Sequence, residues 1–261
     1  MSIVICAYNA ARVIGRAIQS LTKQTFTDWE CIICDDASSD NTWTAIQDLT
    51  KGFNNFKVIK NETNLGPASS RNRCVEIAKG EFLAIQDADD WSSPERLERQ
   101  VEYLDRHLEV NAVGSYAALL GNDETQWGVM KPPLLPRKED WVRGPQIIHA
   151  SVLFRTVDFV ALGGYTGGMR FAEDYDLWVR FVTNGKKIST IPEVLYSIRS
   201  DVNDYTRKGL SQRWSEMAVV LRAFRSLHCS VWQLVYLGKP FIAGILPARL
   251  LHSFHRYRFD R

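Results

Sequence analysis

Short apolar runs alternate with amphipathic stretches along the first hundred residues of the chain. The apolar runs at residues 3–6, 30–34, 56–59 and 81–86 are typical of buried strands. Between them, residues 11–23, 41–50 and 68–79 carry apolar side chains at helical spacing. Strands that alternate with helices in this way predict an α/β fold, with a mostly parallel, mixed sheet flanked by helices.

The pattern is more varied after residue 93. Ser93 and Pro94 favour the start of a helix that runs to His107, and Gly80 is expected in a left-handed conformation before a strand. Further strands are predicted at 112–117 and 147–154, and helices at 170–185 and 210–227. Because no repeat or low-complexity linker interrupts the chain, no sharp domain boundary is expected before about residue 200.

The last thirty or so residues form a tail rich in large apolar and basic side chains. Gln233, Lys239 and Pro240 interrupt it, so it offers no run of ~20 apolar residues that could span a bilayer. Basic residues beside Trp, Phe and Tyr favour a segment that lies in a membrane interface. The alternative is a pair of short helices that pack on the domain or on a second subunit.

Composition narrows the function classes. With 261 residues, 45% of them hydrophobic and 24% charged, the chain is typical of a soluble globular protein. A net charge of +2 argues against a nucleic-acid partner, and the apolar start is too short for a signal peptide. Cys31 and Cys34 are expected on opposite faces of a strand, which argues against a shared metal and favours free thiols in the cytosol.

Polar residues follow three of the predicted strands. Asp87, Asp89 and Asp90 lie directly after the fourth strand. The first strand ends in Ala7, Tyr8 and Asn9, and the second in Asp35 and Asp36. Each group alone is explained by turn formation or helix capping. Ligands of open α/β sheets bind at the carboxyl ends of strands, however, so the three groups together predict a site there.

The chemistry of this site is constrained by what is missing. Neither the G-x-G-x-x-G pattern of dinucleotide-binding folds nor the G-x-x-x-x-G-K-[ST] phosphate loop occurs in the chain. A carboxylate-bound Mg²⁺ or Mn²⁺ would hold phosphates in another way, since hard cations take oxygen ligands and bridge to substrate phosphates. Such a cation would also explain three neighbouring carboxylates, which otherwise repel one another.

Four segments carry a family resemblance: "SIVICAYNAARVIGRAIQSLTKQTFTDWECIICDDASSDNT", "NLGPASSRN", "DADD" and "FAEDYDLWVRF". Together they resemble the glycosyltransferase family 2 enzymes of GT-A fold. The resemblance, over roughly residues 1–200, implies a Rossmann-like domain with a nucleotide-sugar-binding half (1–110) and an acceptor-binding half (111–205). The composition of the remaining residues predicts a C-terminal helical, membrane-interfacial tail (206–261). The resemblance also implies inverting transfer of a sugar from a nucleotide diphosphate sugar, usually a UDP-sugar, to an acceptor hydroxyl.

The resemblance also implies roles for individual residues. Around the donor, Ala7, Tyr8 and Asn9 would contact base and ribose, Asp36 the uracil ring, Arg71 the base or diphosphate, and Asp87 the ribose. Asp89 would bind the metal, with Asp90 in support. Asp174 would be the catalytic base, which must stand away from the leaving diphosphate, and Glu173 is a lesser candidate. The alternative for these two is that acids in a first helical turn favour the helix dipole.

Other residues and functions are weaker candidates. His149 would shape the acceptor side, and Gly163 and Gly164 a turn near the sugar pocket. The resemblance implies a glycan or lipid-linked acceptor in synthesis of a bacterial surface glycan, and the apolar, basic tail favours a polyprenyl-diphosphate-linked acceptor at the cytosolic face of the inner membrane. The Q-x-x-R-W motif of processive synthases is absent. A nucleotidyltransferase and a catalytically silent sugar-nucleotide-binding module are the alternative functions.

Overall fold

The computed structural model describes residues 1–200, 210–227, 231–238 and 259. The strands are β1 (Ser2–Ala7), β2 (Glu30–Asp35), β3 (Phe56–Lys60), β4 (Phe82–Ile85), β5 (Trp91–Ser92), β6 (Ala112–Leu120), β7 (Gln126–Met130), β8 (Leu153–Arg155) and β9 (Ile188–Arg199). The helices are α1 (Ile14–Thr22), α2 (Thr42–Thr50), α3 (Pro67–Glu76), α4 (Arg96–Arg106), α5 (Thr156–Ala161), α6 (Glu173–Thr183) and α7 (Leu210–Ser226). Short 3₁₀ helices lie at Lys138–Arg143, His149–Ser151 and Val231–Gly238.

One sheet holds all of these strands, in the order β3-β2-β1-β4-β8-β6-β9-β5, with β7 paired to β6. The first four strands in this order are parallel, as are β6 and β9, whereas β8, β5 and β7 pair antiparallel with their neighbours. The predicted α/β fold on a mixed sheet is therefore confirmed. Because β1 and β4 are parallel neighbours, the polar residues that follow them emerge at one edge.

Two apolar layers cover the faces of the sheet. Helices α1, α2 and α4 pack on one face with Ile3 and Ile5, and helices α3, α5, α6 and α7 pack on the other with Val4. Cys31 and Cys34 lie in opposite layers, as their spacing predicts, and both are free thiols. The β1 positions alternate between the layers because successive side chains of a strand point to opposite faces.

The structure corrects two local predictions. In place of a strand over residues 147–154, the chain forms a 3₁₀ turn at His149–Ser151 and a three-residue β8, since the Ser151 hydroxyl and amide both bond to the Ile148 carbonyl. Gly80 is not left-handed. It is required for a close approach instead, because a Cβ there would lie 2.3 Å from the backbone nitrogen of Ser2.

Two predicted helices are shorter than expected and one region is only partly described. α4 begins at Arg96, and α6 begins at Glu173 after Ala172, whose φ of 59° breaks the helical path. Of the tail predicted over 206–261, residues 206–209, 228–230, 239–258 and 260–261 lie outside the described residues. No helix in the described ranges is long and apolar enough to cross a bilayer.

Candidate functional site

A cavity of about 710 Å³ opens at the carboxyl edge of β1 and β4. Six residues expected at the site from sequence line it: Tyr8, Asn9, Arg71, Asp87, Asp89 and Glu173. They come from the loops after β1 and β4, from α3 and from the start of α6. The structure thus brings together side chains that are as much as 165 positions apart in the chain, from Tyr8 to Glu173.

The loop after β1 forms one wall. Asn9 has a φ of 51°, a left-handed conformation that Asn tolerates better than most residues. Its side-chain oxygen accepts from the Ser39 amide at 2.9 Å, and its own amide donates to the Ser38 hydroxyl at 3.0 Å. These bonds tie the loops after β1 and β2 together, and they leave the Tyr8 side chain 51% exposed over the cavity.

Ala7 and Asp36 lie behind this wall and do not line the cavity. The Ala7 carbonyl accepts from the Asp36 amide at 2.8 Å. The Asp36 carboxylate is 1% exposed and accepts from the amides of Leu65 and Gly66, at 2.8 and 2.9 Å, and from the Asn61 side chain at 2.6 Å. Asp36 therefore holds the loop that leads into α3, and its contact with a nucleobase stays a prediction.

Arg71 joins the two sides of the cavity. From the first turns of α3, its guanidinium reaches the Asp87 carboxylate at 2.8 Å and the Glu173 carboxylate at 3.3 Å. The guanidinium carbon also lies 5.6 Å from the centre of the Tyr165 ring, in reach of a cation–π interaction. Nε of this buried arginine has no hydrogen-bond partner among the described residues.

The three carboxylates after β4 have three different surroundings. Asp87 pairs with Arg71, and its side chain is 34% exposed. Asp90 is buried, and its Oδ1 accepts from the Arg199 amide at 3.0 Å. Asp89, at 44%, is the most exposed of the three, and the Arg199 guanidinium lies 3.5 Å away. Of these three carboxylates, Asp87 and Asp89 line the cavity and Asp90 does not.

The ionised forms of Asp89 and Asp90 are disfavoured in this loop. Burial and the charges of Asp87 and Asp89 hold the pKa of Asp90 well above its usual range. Burial and the charge of Asp87 likewise raise the pKa of Asp89, although Arg199 acts in the opposite direction. A cation between Asp87 and Asp89 would relieve this repulsion.

The donor set fits a hard divalent cation. Among the described residues, no cluster of three or more His, Cys, Asp or Glu is placed to hold a metal. Mg²⁺ in phosphate-binding sites is commonly held by one or two carboxylates, together with water and substrate phosphates. Asp89, with Asp87 beside it at the cavity wall, matches that arrangement.

The first turn of α6 carries the other acids. Glu173 lines the cavity, and burial and the charge of Asp174 raise its pKa despite the neighbouring Arg71. Asp174 is partly buried, is not part of the cavity lining, and accepts from the Tyr175 amide at 2.7 Å through Oδ1. Glu173 is thus the acid of this turn that faces the cavity, and the assignment of Asp174 as base stays a prediction.

His149 lies behind the cavity. It is largely buried in aromatic surroundings, its Nε2 is 2.8 Å from the Tyr165 hydroxyl, and burial holds its pKa well below the usual range. His149 does not line the cavity, and it reaches Arg71 only through the Tyr165 ring. Its role on the acceptor side stays a prediction. Gly163 and Gly164 both have positive φ and form the turn before Tyr165.

Sequence reasoning missed Arg12, Asp40 and Arg199, which also line the cavity. Arg199 is the last residue of β9 and pairs with the loop after β4. The rule that sites lie at strand ends would have found it, had residues 188–199 been recognised as a strand.

A family model for glycosyl transferase family 2 matches residues 2–170. The chain therefore belongs to glycosyl transferase family 2. The putative glycosyltransferase EpsE of Bacillus subtilis is 31% identical over 99% of this chain and 94% of its own length. WfgD of Escherichia coli, a UDP-Glc:α-D-GlcNAc-diphosphoundecaprenol β-1,3-glucosyltransferase, is 28% identical over 69% of this chain and 68% of its own.

Two solved structures match the fold of the chain. Staphylococcus aureus TarS 1-349 in complex with UDP-GlcNAc aligns with a TM-score of 0.71 and 20% identity, over 93% of this chain and 71% of the other. The mannosyltransferase PcManGT of Pyrobaculum calidifontis, in complex with GDP-Man and Mn²⁺, aligns with a TM-score of 0.61 and 19% identity, over 97% and 78%. At these identities the likeness is one of fold, and it agrees with the predicted GT-A architecture.

Proposed function

We propose that this glycosyltransferase moves a sugar from a UDP-sugar to a hydroxyl of a glycan or lipid-linked acceptor, with inversion, in the synthesis of a bacterial surface polysaccharide. One observation carries the proposal: a single cavity at the edge of the sheet joins the Asp87–Asp89 loop to Glu173 through Arg71. The residues proposed to bind the donor thus lie across the cavity from the first turn of α6, which carries both candidate bases.

The donor side is formed by Tyr8, Asn9, Arg71 and Asp87. The exposed Tyr8 ring offers a face for a base, and the Asp87 carboxylate can accept from ribose hydroxyls while Arg71 holds it. TarS was solved with UDP-GlcNAc, and WfgD uses UDP-Glc, which supports a uridine donor here. Asp36 would assist donor binding, either by holding the loop that leads into α3 or by a direct bond to the uracil ring.

Asp89, beside Asp87, would hold Mg²⁺ or Mn²⁺, with Asp90 behind it. When bound, the ion would neutralise the negative charge of the departing diphosphate. The proposal is supported by the donor set described above and by the Mn²⁺ in PcManGT. Arg199, 3.5 Å from Asp89, supplies a fixed positive charge on the same side of the cavity.

The α6 side would accept the proton. An inverting displacement requires the acceptor oxygen to attack opposite the diphosphate, with a carboxylate in hydrogen-bond reach to remove its proton. We assign this base to Asp174. Glu173 is the second candidate, because it faces the cavity and its raised pKa keeps it closer to the range of an effective base.

The C-terminal region supports the proposal of a lipid-linked acceptor. Trp232 is 88% exposed and Val235 70%, on the 3₁₀ helix Val231–Gly238. Exposed Trp beside basic residues suits a membrane interface. WfgD acts on a lipid diphosphate, so a polyprenyl-diphosphate acceptor at the cytosolic face of the inner membrane is consistent with both observations.

A UDP-release assay tests the proposal. The protein is incubated with a panel of nucleotide sugars and lipid-linked acceptors, and separately with nucleoside triphosphates and sugar phosphates, with Mn²⁺ or with a chelator, and products are identified by mass spectrometry. Release of UDP with a glycosylated acceptor is expected. Donor binding without release for any pair would instead indicate a silent binding module, and release of pyrophosphate from a nucleoside triphosphate would indicate a nucleotidyltransferase.

A vesicle assay tests the membrane proposal separately. The full chain is expected to sediment with anionic vesicles, and a chain that lacks residues 231–261 is expected to remain in the supernatant. Equal sedimentation of the two forms would refute the tail as the membrane contact.

A further inference from the structure

The acidic loop at residues 86–92 stands on a buried polar layer that the proposed reaction does not use. Four side chains form this layer, each at most 4% exposed: Gln86, Ser92, Arg96 and Tyr196. Burying polar groups costs free energy unless their hydrogen bonds are replaced. The pattern of their bonds therefore shows what the layer holds.

Arg96 fixes the orientation of Gln86. Its Nη1 donates to the Gln86 side-chain oxygen at 3.2 Å and to the Ser92 hydroxyl at 2.8 Å, and that hydroxyl donates to the same Gln86 oxygen at 2.7 Å. Because arginine can only donate, the Gln86 oxygen must face it and the amide nitrogen must face the loop. That nitrogen lies 3.0 Å from the Asp87 carbonyl and 3.1 Å from the Asp90 carbonyl.

Tyr196 holds the same stretch of main chain. Its hydroxyl accepts from the Asp87 amide and lies equally close, at 3.1 Å, to the Gln86 side-chain nitrogen. Its ring centre is 4.8 Å from the Arg96 guanidinium carbon, and its backbone pairs with Ser92 across β9 and β5. The ring is therefore anchored independently of the hydroxyl.

This layer acts on the part of the loop that lines the cavity. Asp87 and Asp89 both lie on the main chain held by Gln86 and Tyr196, and the Asp87 carboxylate meets Arg71 at 2.8 Å. Binding groups must be held within a fraction of an ångström to act together, and buried hydrogen bonds behind them provide that precision.

We propose that Tyr196, oriented by Arg96 and Gln86, is a positioning residue for donor binding: its hydroxyl fixes the main chain at Asp87 and thereby sets where the Asp87 and Asp89 carboxylates meet the donor. This inference rests on the donor site proposed above. Tyr196 itself does not line the cavity.

The variant Tyr196→Phe tests this, since it removes the hydroxyl and keeps the ring beside Arg96. Tyr103→Phe is the matched control, because the Tyr103 hydroxyl bonds to Ser189 Oγ at 2.6 Å and does not touch the acidic loop. Amide hydrogen exchange without ligand is expected to be about tenfold faster at residues 87–90 in Tyr196→Phe alone, and unchanged in the control.

Binding supplies the second measurement. By calorimetry with Mn²⁺, the Kd of UDP is expected to rise about tenfold in Tyr196→Phe, because the partly buried Asp87 amide loses its acceptor, and to stay within twofold of wild type in Tyr103→Phe. In the transfer assay, KM for the donor should rise more than kcat falls. A purely structural role would lower Tm without this selective loss.

Several outcomes decide the matter. Unchanged exchange at residues 87–90 overturns the inference, and so does faster exchange with unchanged UDP affinity. If Tyr196→Phe does not fold, Ser92→Ala, which frees the Gln86 oxygen on one side, must show the same two effects at smaller size. A wild-type protein that binds no UDP refutes the proposed donor site, and the ligand-free exchange then still decides whether Tyr196 holds the loop.

Discussion

Asp36 has two competing roles that one substitution can separate. The family resemblance assigns its carboxylate to a uracil ring, whereas in the structure both carboxylate oxygens accept from the loop of residues 61–66. The variant Asp36→Asn keeps the size of the side chain but replaces one oxygen by a donor. If the loop contacts dominate, the protein without ligand must lose stability.

The magnitude follows from the three bonds. In the best orientation, the asparagine oxygen keeps Asn61 and Leu65, and its NH₂ then faces the buried Gly66 amide. That buried amide loses its partner, which costs ~1–3 kcal/mol, and the other two bonds lose the charged acceptor, at ~0.5–1 kcal/mol each. The sum is about 3 kcal/mol, a large fraction of the ~5–15 kcal/mol by which proteins are stable, and lowers Tm by ~6–12 °C.

The assay is denaturant unfolding of the ligand-free protein, with Asp35→Asn as the matched control. Asp35 is also buried, but the Ser38 amide is 3.3 Å from its Oδ1, and Lys60 is 3.8 Å from its Oδ2. Its substitution should therefore cost less. If Asp36→Asn changes the free energy of unfolding by less than ~0.5 kcal/mol yet loses UDP binding, the structural role is wrong and the uracil contact is favoured.

Three further predictions concern carboxylates at or beside the cavity. Asp89→Ala should remove the Mn²⁺-dependent part of UDP affinity in calorimetry, and identical affinities with and without chelator in wild type would contradict this. Asp174→Asn should bind UDP normally but lose transfer by ~10²-fold or more, and full transfer would pass the role of base to Glu173. Because the pKa of Glu173 is raised above its usual 4.5, its ionisation opposes folding, so Glu173→Gln should stabilise the protein at pH 7–8 and lose that advantage as the pH falls towards 4.5, measured by unfolding at each pH.

The site could be predicted from the sequence wherever a residue directly follows a strand with a clear apolar pattern. Asp87 and Asp89 after β4, and Tyr8 and Asn9 after β1, were expected at the edge and line the cavity. The strand order places β1 between β2 and β4, which brings these loops together. Local patterns suffice here because both strands are short, buried and parallel.

Arg199 and Tyr196 could not be predicted in this way, since they lie on β9. That strand contains Pro192 and Glu193, which break the alternation expected of a strand. In the structure, its register against β6 shifts at this point, so that Ser115 pairs with Ile191 and Tyr116 with Val194. Residues 188–199 form a strand because they pair with β6, a segment distant in sequence, although their own apolar pattern does not predict one.

The sequence also does not predict which of the three carboxylates after β4 is buried. Their spacing gives Asp87, Asp89 and Asp90 the same expected surroundings, and in the structure the inner one, Asp90, accepts from the Arg199 amide of β9. The same long-range strand therefore explains both the missed arginine and the unequal carboxylates.

The balance of charge in the cavity explains why a cation belongs to the proposed mechanism. Among the described residues that line it, the four acids Asp40, Asp87, Asp89 and Glu173 outnumber the three arginines Arg12, Arg71 and Arg199. Arg71 is already shared between Asp87 and Glu173, and Arg199 faces Asp89. A diphosphate that enters would meet a net negative wall on which Arg71 and Arg199 already face carboxylates, and would be repelled. A divalent ion beside Asp89 would reverse the sign of that wall on the donor side, and Arg71 would remain paired with Asp87 and Glu173 across the cavity.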